Sequence, residues 1–169
     1  MDTPSPTIFT NRLRVMLEGL ASISATEQNQ RLNEFLQMLV PMFSTCDARV
    51  EVLSPTQCVA SMRNQRNVQN QIGTIQSAGI ILTAETAMGI ALAMHIGDDQ
   101  VYLVKQVNTN FIKRCQGNIQ AVATISADEQ QFIQKNSKGE LRLEAAVTDE
   151  TGAIVATCEA VWAWFHKKA

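Results

Sequence analysis

The sequence predicts an α+β domain in which a curved antiparallel β-sheet wraps one central α-helix, with a two-helix extension in front. Three observations lead there. Residues 75–95 form a run so uniformly apolar that a helix built from it needs cover on nearly every side. The chain on both sides of that run alternates apolar and polar residues with period 2, the pattern of half-buried strands. Before residue 43 the apolar positions instead recur at helical spacing.

Taken in order, residues 1–7 read as a loose leader without the basic and apolar regions of a secretory signal. Phe9, Leu13, Met16, Leu17 and Leu20 then trace a first helix. Ser24 and Glu27 have the spacing of a capping box that opens a second helix, striped by Leu32, Phe35, Leu36, Leu39 and Val40 and ended by Pro41. Residues 49–53 and 57–62 read as a strand pair turning at Ser54, Pro55 and Thr56. Residues 63–72, rich in Asn and Gln, read as a loop. After the apolar helix and a turn at 97–99, four strands are expected over 101–113, 118–126, 140–148 and 153–165, with Gly117, Gly139 and Gly152 in the turns. The division expected is an N-terminal helical extension at 1–45 and a main domain at 46–169.

Composition narrows the function classes. Of the 169 residues, 46% are hydrophobic and 18% charged, which excludes a disordered or solvated chain. The formal net charge of −2 gives no basic field, so no nucleic-acid partner is expected. Residues 72–96 are apolar enough to raise a membrane span, but Glu85 at mid-span makes a buried core helix the better reading. The four Cys residues are scattered with no C-x-x-C pair, as reduced thiols in a cytoplasmic protein would be. With only two His residues, no metal site is expected. His95 closes the apolar helix, where an imidazolium would suit the helix dipole.

The residue that invites chemistry is Glu85. At helical spacing its neighbours are Ile81, Leu82, Met88 and Gly89, so the carboxylate lies on an apolar stripe. Burial there raises a carboxyl pKa toward the range of a general base or nucleophile. The alternative is a Glu at a helix edge reaching solvent past Ala78 and Gly89. Upstream, Asn67, Asn70, Gly73, Thr74, Gln76 and Ser77 lead into the helix N-terminus, whose free N–H groups can hold an oxyanion. Here too a plain reading stands beside it: a loop of Asn and Gln capping its own turns. Trp162, Trp164 and Phe165 on the last strand read as packing residues.

The run Asn70-Gln71-Ile72-Gly73-Thr74-Ile75-Gln76-Ser77-Ala78-Gly79, followed by Ala84-Glu85-Thr86-Ala87, resembles the signature of hotdog-fold acyl-CoA thioesterases, in particular their phenylacetyl-CoA thioesterase-like branch. That pattern runs Asn, Gly-Thr, usually His-Gly-Gly, then Ala-(Asp or Glu)-Thr on the central helix. The resemblance implies a hotdog fold and a homodimer or dimer of dimers, with sites built by both subunits. It also implies hydrolysis of a thioester of CoA or of an acyl carrier. By the same resemblance Glu85 is the base or nucleophile, Asn70 places reacting groups across the interface, and the Ser77 N–H holds the thioester oxygen. Gly73, Thr74, Gln76 and Thr86 fall around the substrate. No metal or redox cofactor is implied, with acyl-CoA entering as substrate. Gln76 stands where His is common, Ser77 and Ala78 where Gly-Gly is common, and Arg114 where Pro is common. Gln76 supports an alternative, a non-catalytic hotdog dimer that binds an acyl or other apolar ligand. A hydratase or dehydratase on the same fold ranks third, because such enzymes rely on a His beside the carboxylate.

Overall fold

The computed structural model describes residues 10–167; the leader at 1–7 and Phe9 lie outside them. Three helices come first: α1 (Arg12–Gly19), α2 (Ala25–Leu39) and α3 (Pro41–Cys46). Strands β1 (Ala48–Ser54) and β2 (Gln57–Met62) follow, then a 3-10 turn at Arg66–Val68 and the central helix α4 (Ser77–Ala93). The remainder is β3 (Gln100–Phe111), β4 (Ile119–Thr124), α5 (Ala127–Lys135), β5 (Gly139–Asp149) and β6 (Ile154–His166).

The six strands form one antiparallel sheet in the order β1-β2-β4-β5-β6-β3. Its concave face holds α4, which packs on β2, β4, β5 and β6. Met88, Leu92, Ala84 and Ala87 on the helix meet Met62, Ala121, Leu143, Val147 and Trp164 from the strands in one core. Close approach depends on small residues. A Cβ on Gly79 would stand 2.9 Å from Ile75 Cγ2 and 3.0 Å from Met62 Sδ. β5 shows the expected wet face: Leu143, Ala145 and Val147 are buried while Arg142 and Glu144 are exposed.

Two helices depart from the sequence reading. Pro41 does end α2, but it also occupies the first turn of α3, where its missing N–H costs nothing. Likewise the strand expected over 118–126 stops at Thr124, because Ser126 caps α5. Ser126 Oγ accepts from the Glu129 N–H and the Glu129 carboxylate accepts from the Ser126 N–H, a complete capping box.

The N-terminal helices are tied to the rest by side-chain amides. Asn33, on the buried face of α2, imitates a peptide group against β1. Its Oδ1 accepts from the Val50 N–H at 2.8 Å and its Nδ2 donates to the Val50 carbonyl at 2.9 Å. Asn29 Nδ2 donates to the same carbonyl at 2.8 Å. At Val50, therefore, the outward polar groups of edge strand β1 are occupied. At the other end, Asn11 Nδ2 donates to the carbonyls of Ala93 and Ile96, each at 2.7 Å, and Arg14 Nε donates to that of Met94 at 2.6 Å. Those bonds serve the C-terminal carbonyls of α4. His95 does so in neither form. It is 1% exposed, and its Nδ1 lies 3.2 Å from the Arg14 guanidinium. Arg can only donate, so Nδ1 accepts and Nε2–H donates to the Pro55 carbonyl at 2.8 Å. Burial, together with the Arg14 charge, holds its pKa below the ordinary value, so the ring is neutral where a cation had been expected.

The opposite edge, β3, is bare. Leu103, Val104 and Phe111 are exposed on it, with Ile112 just beyond. Among the described residues, no helix is long and apolar enough to cross a membrane.

Candidate active site

Glu85 sits mid-way along α4, on the side not covered by the middle of the sheet. It is half-buried and makes no hydrogen bond or ion pair with any described residue. Burial raises its pKa above the usual carboxyl value. The carboxylate lines a cleft of about 380 Å³ whose other walls are nearly all apolar: Leu82 and Ile90 from α4, Tyr102 and Val104 from β3, Phe43 from α3 and Trp162 from β6. Thr86 lines the same cleft. Thr86 Oγ1 and Trp162 Nε1 are the two buried side-chain polar atoms without a partner among the described residues. Two unsatisfied buried polar atoms thus border one apolar space beside the half-buried carboxylate, and each such unmade bond costs about 1–3 kcal/mol.

Trp162 is held there by shape. Gly89 lies one turn after Glu85, and a Cβ on it would come within 2.8 Å of Trp162 Cη2. The indole lies against that bare stretch of helix, with Tyr102 tilted beside it at 6.0 Å between ring centroids.

The residues before α4 form a different arrangement. Asn70 Oδ1 accepts from the N–H groups of Ile72 and Thr74 at 3.1 and 3.2 Å, and its Nδ2 donates to Thr74 Oγ1 at 2.8 Å. Gly73, at φ +77°, completes that turn. Gly73 and Thr74 border a separate polar cavity with Asn64 and Arg114. Gln76 caps α4: its Oε1 accepts from the Ser77 N–H at 2.9 Å and from Ser77 Oγ at 3.3 Å. Ser77 and Glu85 are about 12 Å apart along the helix axis at standard rise. Within one chain, therefore, Glu85 and Thr86 share a cleft, while Asn70, Gly73, Thr74, Gln76 and Ser77 stand apart at the helix N-terminus. Among the described residues, no group of three or more His, Cys, Asp or Glu is placed to hold a metal ion.

Sequence comparison adds a family. The model of the family described as "Domain of unknown function (DUF4442)" matches residues 28–164. The chain belongs to the DUF4442 family. No curated protein matches it by sequence. Among solved structures, this DUF4442 chain is similar to a Pseudomonas aeruginosa protein of unknown function described as a probable thioesterase. The two share 21% identity over 80% of this chain and 93% of that one, with a TM-score of 0.71. A protein of unknown function from Chlorobaculum tepidum matches at 15% identity over 87% and 99%, with a TM-score of 0.70. A Haemophilus influenzae thioesterase matches at 13% identity over 79% and 90%, with a TM-score of 0.65. These likenesses establish the fold of this DUF4442 member as the hotdog fold, a sheet curled around its central helix.

Sequence reasoning missed Trp162, Tyr102 and Phe43 as walls of the cleft. A signal for Trp162 exists: a Gly one helical turn from a lone carboxylate leaves room for a large ring. For Phe43 there is none, since α3 itself goes unread.

Proposed function

We propose that this protein hydrolyses an acyl-CoA-type thioester, with Glu85 as general base or nucleophile. The observation that carries this reading is the carboxylate itself: half-buried, without a partner, with a raised pKa, at the mouth of an apolar cleft. Acting as base, Glu85 takes a proton from water as the water oxygen bonds the thioester carbon. The C–S bond then breaks, and the Glu85 carboxylic acid returns the proton to the departing sulfur. The products are a free acid and a thiol. A positioned carboxylate of this kind contributes about 10²–10⁴-fold.

The reading extends to a homodimer, or a dimer of dimers, in the cytoplasm. The exposed Leu103, Val104 and Phe111 of edge strand β3 favour pairing with a second copy. In that assembly Asn70 and Ser77 come from the second copy, with Gly73, Thr74 and Gln76 around the thioester and Thr86 beside Glu85. The Ser77 N–H then meets the thioester oxygen once the Gln76 side chain swings off it. The test is free-thiol release from short, medium, long and aryl acyl-CoA esters by wild type and Glu85→Gln, alongside the solution mass. Turnover lost by at least ~10²-fold in Glu85→Gln supports the assignment; activity within a few-fold of wild type sinks it.

One observation favours a second reading, a hotdog dimer that binds an acyl or other apolar ligand without turnover. Gln76 occupies the Ser77 N–H that an oxyanion needs. Thermal stabilisation by acyl-CoA without thiol release would identify it. The hydratase or dehydratase reading has less support, as His95 is tied to Pro55 and Arg14 away from the cleft.

A further inference from the structure

Beside the cleft at Glu85 lies a second cavity, of about 270 Å³, and Val40, Ile90 and Tyr102 are walls of both. On the far side of those shared walls the floor is Ala93 of α4 and the roof is Phe35 and Leu39 of α2. The far end changes character: Arg12, Asp98 and Lys167 border it. Arg12 pairs with Asp98 at 3.8 Å and Lys167 donates to the Asp98 carbonyl, so charge closes what apolar side chains line. Three further cavities among the described residues are bordered mainly by polar side chains such as Asn108, Glu144, Arg63 and Arg114.

We propose that the two cavities form one channel for the acyl chain of the substrate, running under α2 along α4 from Glu85 past Ala93, and that it selects straight chains of medium length. The proposal rests on the thioester reading for its head group and deepens it. An ester-like head finds unpartnered buried polar atoms at one end only, where Thr86 Oγ1 and Trp162 Nε1 stand beside the Glu85 carboxylate; the polar groups at the far end are engaged with one another. An unbranched tail fits the narrow apolar stretch between helices. About 12 Å of helix axis separates Glu85 from Ala93, the reach of a medium acyl chain, and a longer one would run into the ion pair at the far end. The N-terminal helices are thereby part of the specificity apparatus.

The test sets butyryl-, octanoyl-, dodecanoyl- and palmitoyl-CoA against wild type, Ala93→Phe from the floor and Leu39→Trp from the roof. Leu39 is 58% exposed, so its replacement leaves the fold intact even where Ala93→Phe strains it. Each methylene that enters an apolar channel is worth about fourfold in kcat/KM. Wild type should climb with chain length and fall at palmitoyl. In both variants the dodecanoyl-to-butyryl ratio should drop at least ~10-fold. Unchanged ratios in folded variants overturn the channel. If wild type releases no thiol from any ester, the hydrolase reading fails and the channel is read by calorimetry with dodecanoyl-CoA and CoA alone. Tighter binding of dodecanoyl-CoA that both variants weaken supports the channel, and equal affinity for the two ligands overturns it.

Discussion

Replacing Asn33 with Leu keeps the branched four-atom skeleton of the side chain and removes a false peptide bond from the edge of the sheet. Its cost can be worked from partners. Val50 is fully buried, and its N–H has Asn33 Oδ1 at 2.8 Å with no water in reach. The Val50 carbonyl loses one donor but keeps Asn29 Nδ2 at 2.8 Å. The substitution therefore orphans one buried donor, about 1–3 kcal/mol, and deletes the bonds that Nδ2 gives to the Val50 carbonyl and to Asn29, about 1 kcal/mol for each of its two hydrogens. For a domain of this size a total of about 3–5 kcal/mol lowers Tm by about 6–20 °C. Circular-dichroism melting measures it, and amide exchange at Val50 should accelerate while exchange in α4 shifts less. Asn29→Ala is the control, because it leaves Val50 doubly bonded to Asn33 and should cost only about 1 kcal/mol. An Asn33→Leu Tm within about 1 °C of wild type would refute the reasoning.

Other outcomes follow from the same structure. Glu85→Gln removes an unpaired charge from a half-buried site, so it should raise Tm by about 2–4 °C at neutral pH. Because the folded pKa is raised, that gain should vanish below about pH 4.5, where both states are protonated, and grow as pH rises through the folded value; a pH-independent difference would contradict it. His95 has the opposite sign. Above pH 6.5 it is neutral whether folded or not, and as pH falls below 6.5 the unfolded chain takes the proton first, so stability drops. Melting curves of wild type and His95→Gln between pH 5 and pH 8 should converge at the acid end, and parallel curves would show that the ring is not held neutral. Gly89→Ala gains up to about 1 kcal/mol of helix propensity but pushes on Trp162, at about 1–3 kcal/mol of overpacking. Net destabilisation with altered tryptophan emission is expected, and a more stable protein with unaltered emission would show that the ring has room.

How legible these features are depends on how local their causes are. The central helix and the strands declare themselves through periodicity, and α4 with β2, β4 and β5 lies close to where the pattern puts it. The two unread helices are short, and each hides in a signal with two meanings. Pro41 stops one helix and starts the next, while Ser126 and Glu129 cap a helix with only Phe132 and Ile133 for an apolar stripe. In the site, the isolation of Glu85 on an apolar stripe is a local fact and can be read from spacing. The pairing of Asn33 with Val50 spans two elements and leaves no trace in either. The contact of Trp162 with the bare helix at Gly89 is legible by half: the small residue marks room for a ring, but which residue fills it depends on how β6 faces α4. The internal bonding of Asn70 with Thr74 is the plain alternative that composition already offered for that loop.

The sheet has two edges and treats them differently. At β1 the outward polar groups of Val50 are spent on Asn29 and Asn33, so a strand approaching the middle of that edge finds them engaged. β3 keeps its edge and its exposed Leu103 and Val104. A protein sticky at both margins can add copies without limit and grow into a fibre. One sticky at a single margin exhausts that margin on the first copy it meets. The amides on α2 therefore guard this margin as well as hold the extension down, and if copies pair through β3 as proposed, loosening them is the change expected to open a second margin to further copies.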